Sequence, residues 1–291
     1  MFRLLFYVII CLLIPQLLVA SELARCELML FKTFELKASN VSGEWAEIRE
    51  GVYKIHTQDS NYAYVLRRAH PARANLSFEV FASELISQLS SKPNGALVVP
   101  SRILSPGELD LLLNVDFEIF SVDQFTIQPF LKQRDLMSYL IAHNANKLEE
   151  IPSRRIQEQL SELLLTRVLV GIPDNHRGNF LVDPNTEVVI SIDHARLFSS
   201  VKSSSDRLSI EPVSFPLTTS RDSLRAEEDY KPYAEKVSNE FFQKIMALKL
   251  EDVVELQGES PFFLYDGSDG RYFKSFEERL EALKQLLKST R

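Results

Sequence analysis

The stretch Gly171–Phe198 reads GIPDNHRGNFLVDPNTEVVISIDHARLF. "NFLVD" is apolar and bounded by turn residues, so it predicts a buried strand. Pro184 and Asn185 supply the turn. The β-branched "VVISID" returns as a second strand. In an antiparallel hairpin the residues furthest from the turn lie side by side. Asn179 opens the first strand and Asp193 closes the second, so both fall at the open end. An amide oxygen and a carboxylate held there suit a hard cation such as Mg²⁺ or Mn²⁺ and not Zn²⁺. Asp174 lies in the loop just before and can point to the same place.

That layout is the one phosphoryl transfer needs. One Asp orients the nucleophile and accepts its proton, while an Asn and a second Asp hold the ion that bridges the phosphates. Taken singly, each of the three is an ordinary turn or cap residue. Taken in order, with a hairpin between them, they point to a site. The chain has no Gly-x-Ser-x-Gly elbow, no His-Glu-x-x-His pair and no Cys-x-x-Cys that would compete.

The 291 residues suffice for one large domain or two lobes. Hydrophobic content of 45% and charged content of 25% are those of a globular protein. A formal charge of −7 gives no footprint for nucleic acid. Nothing in the sequence speaks to oligomeric state.

The first twenty residues, MFRLLFYVIICLLIPQLLVA, carry Arg3, an apolar run and a small residue, Ala20, before a cut. They predict a signal peptide and a secreted, periplasmic or lumenal mature chain. Anchoring in a membrane by residues 4–20 is the alternative, and the run is short for a stable span. Cleavage removes Cys11 and leaves Cys26 alone, so no intramolecular disulfide is expected. "NVS" at Asn40 and "NLS" at Asn75 match the glycan acceptor pattern.

Elsewhere the pattern predicts an α+β chain. Three short strands run from Glu44 to Arg68, and a helix from Leu76 to Ser90 buries Phe78, Phe81, Ala82, Leu85 and Leu89. Strand-like segments follow at "ALVVPSRIL", "LDLLLN", "FEIFSV" and "FTIQPFL". The second half is helical around the hairpin. One helix buries Ile156, Leu160, Leu163, Leu164 and Val168 and ends at Gly171. "YAEKVSNEFFQKIMALKL" and "FEERLEALKQLLKS" read as two more. Ser199 to Tyr230 is rich in Ser, Arg, Asp and Pro and reads as a long irregular loop, functional or mobile.

The loop and architecture resemble the protein-kinase-like superfamily in its atypical branches. Asp174 to Asn179 has the Asp-x-x-x-x-Asn interval of the kinase catalytic loop. "GIPDNHRGNFLV…ISIDHARLF" looks most like bacterial members of the phosphatidylinositol 3-/4-kinase-like group. HipA-like kinases and aminoglycoside phosphotransferases share the Asp-x-His-x-x-Asn core. The resemblance is clear over Leu163 to Phe198, looser over Gly51 to Leu131, and absent after about Ser200.

It implies a two-lobed fold: a small N-terminal sheet lobe with one helix, residues 21–131, and a larger, mostly helical lobe, residues 132–291. It implies ATP with Mg²⁺ or Mn²⁺, and a phosphoinositide or protein hydroxyl as acceptor. A lipid acceptor would require contact with a membrane surface. Asp174 takes the place of the catalytic Asp, and His176 that of the loop histidine that braces it. Asn179 and Asp193 take the places of the metal ligands. Arg67 stands where the phosphate-holding lysine is expected, and Glu79 where its helix glutamate partner is. Gln128 to Phe130 occupies the hinge where an adenine ring would lie.

Three departures weaken the match. Arginine replaces the lysine, which is not a conservative change. Gly51 alone serves the phosphate-covering loop. Asp193 is followed by His194 and Ala195, not by Phe-Gly. The first two support a pseudokinase, a nucleotide- or partner-binding module, as the alternative function. The ordinary reading of Arg67 and Glu79 is a surface strand arginine and a solvated helix glutamate.

Overall fold

A computed structural model describes residues 45–49, 52–56, 63–69, 76–90, 95–105, 107–108, 124–172, 175, 177–194, 226–259 and 269–291. Residues 1–20, Cys26, Asn40, Asn75, Gly51, "LDLLLN", "FEIFSV", Asp174, His176 and the stretch 195–225 lie outside them.

The fold is α+β, a small antiparallel sheet with one helix followed by a mostly helical remainder. Alternation in the first half gives β1 (Trp45–Arg49), β2 (Val52–His56) and β3 (Ala63–Ala69). Helix α1 (Leu76–Leu89) follows, then β4 (Leu97–Val98), β5 (Arg102–Ile103) and β6 (Gln124–Pro129). The sheet order is β1-β2-β3-β6-β5, every pair antiparallel. Directly opposed residues share a face. One row is therefore Tyr53, Leu66 and Ile127, all buried. The other face carries Val52, Arg67 and Thr126, with Lys54, Val65 and Gln128 beside them.

One strand goes elsewhere. The residues of β4 fall within "ALVVPSRIL" but pair parallel to a strand of the second sheet, and Val99 N–H continues that ladder to Ser191 O at 3.0 Å. Two apolar residues cannot say which sheet they join.

The second sheet is β4-β9-β8-β7, with β7 (Arg134–Asp135), β8 (Phe180–Asp183) and β9 (Val188–Ser191). Asp135 caps α2 (Leu136–Ala142) by accepting from Ser138 N–H at 2.7 Å. Helix α3 (Arg154–Val170) is capped by Ser153 and is buried all round from Gln159 to Val170. Ser161 and Thr166 bond back to carbonyls of the helix, and Gln159 is spent on the hairpin. Gln159 donates to Glu187 O at 3.0 Å and accepts from Val189 N–H at 2.8 Å.

The remaining helices differ from the sequence reading. Ala226 to Tyr230, expected to be loop, begin α4 (Ala226–Ala234). "YAEKVSNEFFQKIMALKL" is not one helix. It breaks where Ser238 caps α5 (Asn239–Ala247) by accepting from Phe241 N–H. A serine with cap geometry competes with helix continuation, and periodicity alone does not register that. Helices α6 (Leu250–Glu259) and α7 (Asp269–Ser289) complete the chain.

One large core joins α1 to α3, α4, α5 and α7. Tyr272 of α7 meets Phe78 and Phe81 of α1 edge-on, at ring distances of 5.7 and 6.3 Å. Helix α7 also closes the end of α3, whose last carbonyls lack helical partners. Tyr272 Oη donates to Val170 O at 3.0 Å, and Arg279 Nε donates to Leu169 O at 2.8 Å. Gly171 ends α3 in the left-handed region at φ +91°, and a Cβ there would lie 3.0 Å from Arg279 Nη2.

Gly171→Ala should therefore lower stability by about 1–2 kcal/mol, the usual cost of left-handed backbone for an L-residue. Urea unfolding measures it. Unchanged stability would contradict this account of the helix end.

Candidate functional site

The site begins with a strand arginine. Arg67 projects from β3 on the same face as Thr126 of β6. Its Nη1 lies 2.7 Å from Asp193 Oδ1, a charge-assisted hydrogen bond, and 3.5 Å from Glu79 Oε1. Exposure decides between the two sequence readings: the side chains of Arg67, Glu79 and Asp193 are 11%, 1% and 19% accessible. Arg67 is not a surface strand arginine and Glu79 is not solvated.

Glu79 is held in place by its neighbours. Phe78 and Phe81 anchor α1 in the core, and Glu79 turns toward the sheet. Its Oε2 accepts from Thr126 Oγ1 at 3.4 Å, while Oε1 has no hydrogen bond and faces the Arg67 charge. Burial raises its pKa above 4.5, Arg67 opposes that, and the negative charge of Asp193 adds to it.

Asp193 sits just past the end of β9. The ladder closes at Phe180 opposite Ser191, and Ile192 N–H then donates to Asn179 O at 3.0 Å. Asn179 and Asp193 thus share the open end of the hairpin, as the spacing predicts. Asn179 does not open the strand, however. It ends a single 3-10 turn, Arg177–Asn179, immediately before β8, and is buried. Asp193 adopts φ +56°, in the left-handed region. Asp tolerates that conformation better than most residues, and such strain concentrates at functional sites.

Below this end lies a residue the sequence reading missed. Arg167 of α3 is fully buried. Its Nε donates to Asn175 Oδ1 at 2.8 Å, and its Nη1 donates to Ser191 Oγ at 3.0 Å and Ile192 O at 2.9 Å. Its Nη2 donates to Asp193 O at 3.2 Å. Asn175 in turn donates to Ile172 O at 2.9 Å. One guanidinium therefore ties the loop after α3 to the backbone that presents Asp193. The signal in the sequence was a charge inside the apolar run "LLLTRVLV", hidden because a periodic stripe tolerates one polar position.

His194 completes the brace. Its Nε2 lies 2.9 Å from Ser191 Oγ. Burial, then the Arg167 charge, holds its pKa well below the ordinary value, so it is neutral. Ser191 Oγ accepts from Arg167, and with the His194 proton on Nδ1 its hydroxyl donates to Nε2.

At the other end of the sheet face, Gln128 opposes Val65, and Phe130 follows β6. The Lys54 ammonium rests over the Phe130 ring, 4.1 Å from its centroid. Such a contact at a half-exposed site is worth about 0.5–1 kcal/mol. Asp174 and His176, placed in this loop by the sequence, lie outside the described residues, between Ile172 and Arg177. Among the described residues no group of three His, Cys, Asp or Glu could hold a metal, and no helix is long and apolar enough to cross a membrane. An Asn with one Asp remains a hard oxygen pair suited to Mg²⁺ or Mn²⁺ and too sparse and too hard for Zn²⁺.

No family model and no curated protein matches the chain. Among solved structures it is similar to a Helicobacter pylori proinflammatory kinase, CtkA. Identity is 13% over 85% of this chain and 97% of that one, with a TM-score of 0.47. It is similar to the Cydia pomonella granulovirus kinase PK-1, at 13% identity over 92% of each chain and a TM-score of 0.38. It is also similar to the kinase domain of the maize sucrose-induced receptor kinase SIRK1. There identity is 12% over 89% of this chain and 97% of that one, with a TM-score of 0.37. At TM-scores below 0.5 these likenesses say nothing of the chemistry, which this chain's own residues must carry.

The buried glutamate sets a pH dependence. Because its folded pKa is raised, Glu79 stabilises the fold fully below pH 4.5, and that contribution is lost as pH rises through the folded value. Glu79→Gln removes the loss. The stability of the variant relative to wild type should rise from pH 4.5 to pH 7.5, by about 1.4 kcal/mol for each unit that the pKa is raised. Urea unfolding at both pH values tests this, and a constant difference would contradict it.

Proposed function

We propose that the chain is a kinase-like phosphotransferase that moves the γ-phosphate of ATP to an acceptor hydroxyl. The observation that carries the reading is the meeting of Arg67, Glu79 and Asp193. A strand cation, a helix carboxylate and a hairpin carboxylate come together from three separate segments. Asn179 and Asp193 would hold the divalent ion, which when bound neutralises charge on the phosphates.

The chain's own residues do the rest. Arg67 answers negative charge on the sheet face, and Glu79 fixes the guanidinium. Arg167 and Asn175 hold the loop that carries Asp174. Asp174 orients the acceptor hydroxyl and takes its proton as the oxygen attacks phosphorus, and ADP departs. His176 braces that loop. Gln128 and Phe130 line the place for the base. Most of the catalysis is positioning and electrostatics, which a rigid hairpin end and a buried brace favour.

The acceptor is a hydroxyl of a phosphoinositide or of a protein. The resemblance leans toward the lipid-kinase-like group, and with it contact with a membrane surface. The leader at residues 1–20 favours export, so the ATP would come from a host cell or a supplied lumen. A second reading has one observation behind it. Arg67 is engaged with the Asp193 carboxylate itself, which suits a pseudokinase that binds nucleotide or a partner and transfers little.

The test uses the mature chain with labelled ATP, Mg²⁺ or Mn²⁺, a phosphoinositide panel and a protein extract, beside Asp174→Ala. Label in one acceptor pool, reduced at least about 100-fold by Asp174→Ala, is the expected outcome for a general base. ATP binding with label in neither pool would replace the enzyme with the pseudokinase. Label indifferent to Asp174→Ala would remove the role given to that residue.

A further inference from the structure

The cations behind this face are already engaged. Arg67 lies against two carboxyl groups, Glu79 and Asp193, with its shortest contact to Asp193. Arg167 is turned to Asn175, Ser191 and the carbonyls of Ile192 and Asp193. A polyphosphate brought to the face would be met best by a cation that is not held by a carboxylate.

Lys54 is placed to be that cation. In β2 it opposes Val65, two residues before Arg67 on β3, so alternation puts Lys54 and Arg67 on one face. Diagonal neighbours of this kind are about 7–8 Å apart at Cα, within the reach of a lysine side chain. Lys54 is half-buried and its ammonium lies over the Phe130 ring, where a π face is its partner. A phosphate oxygen is a stronger partner for an ammonium than a half-exposed ring. Exchanging one for the other also uncovers the ring.

Resting on the nucleotide-binding reading above, we propose that Lys54 is a phosphate-binding residue, a role the sequence reading gave to Arg67. It leaves the Phe130 ring to donate to a phosphate oxygen of a nucleoside polyphosphate, and the vacated ring face receives the base. Arg67 then serves chiefly to hold Glu79 and Asp193.

Calorimetry on the full mature chain with Mg²⁺ tests this, using ATP, tripolyphosphate and adenosine as separate ligands. Lys54→Met should weaken ATP and tripolyphosphate about tenfold, or about 1.4 kcal/mol, and leave adenosine unchanged. Lys54→Arg should retain most of the affinity. Phe130→Leu, which keeps Lys54 and removes its ring, should weaken adenosine and leave tripolyphosphate as tight or tighter. ATP and tripolyphosphate binding within twofold of wild type in Lys54→Met would overturn the proposal while leaving the nucleotide reading intact. So would loss of tripolyphosphate in Phe130→Leu. A wild-type chain that binds no ATP would take both down together.

Discussion

The ion pair from Arg67 to Asp193 joins a strand of the first sheet to the open end of the hairpin. Arg67 belongs to a meander of short strands, and Asp193 to a hairpin packed on a buried helix. Their contact at 2.7 Å fixes how the sheet face meets the hairpin end. A partly buried charge-assisted bond of this kind is worth about 1.5–3 kcal/mol. Its larger effect is geometric. Glu79 comes to the same place because Phe78 and Phe81 lock α1 into the core shared with α7. Three charges are thereby positioned by packing elsewhere, which is how a site stays organised when its own charges repel.

The second constraint lies underneath. Arg167 is fully buried yet donates to the Asn175 side chain, the Ser191 hydroxyl and two carbonyls. Removing a buried guanidinium leaves those acceptors unsatisfied, at about 1–3 kcal/mol for each group. The left-handed backbone of Asp193 is tolerable because that brace, the Ile192 ladder bond and Arg67 all hold it from different sides. Buried His194, its pKa held low by burial and the Arg167 charge, adds no charge to a crowded cluster. The arrangement suits chemistry in which negative charge must be met by groups already in position.

Much of this was legible in residue order. The hairpin followed from an apolar run and a β-branched run on either side of Pro184 and Asn185, and its open end followed from counting outward. Arg67 and Glu79 were legible as places in a strand and a helix, but not as a contact. Whether they meet depends on how α1 packs, which the contacts of Phe78 and Phe81 with Tyr272 decide. Arg167 was illegible because one polar residue does not disturb an apolar stripe. Lys54 was illegible because its face depends on strand register, and a slip of one residue would turn it away. The split at Ser238 and the diversion of β4 to the second sheet were missed for a related reason. Each depends on one hydrogen bond or a two-residue pairing, below what periodicity resolves.

The most direct test of the account is a double-mutant cycle between Arg67 and Asp193. Unfolding free energies of wild type, Arg67→Met, Asp193→Asn and the double variant isolate their coupling. If the guanidinium joins the sheet to the hairpin end, the two changes should couple by about 1.5–3 kcal/mol. Effects that add to within about 0.5 kcal/mol would mean the two residues act independently, and the site as described here would not exist.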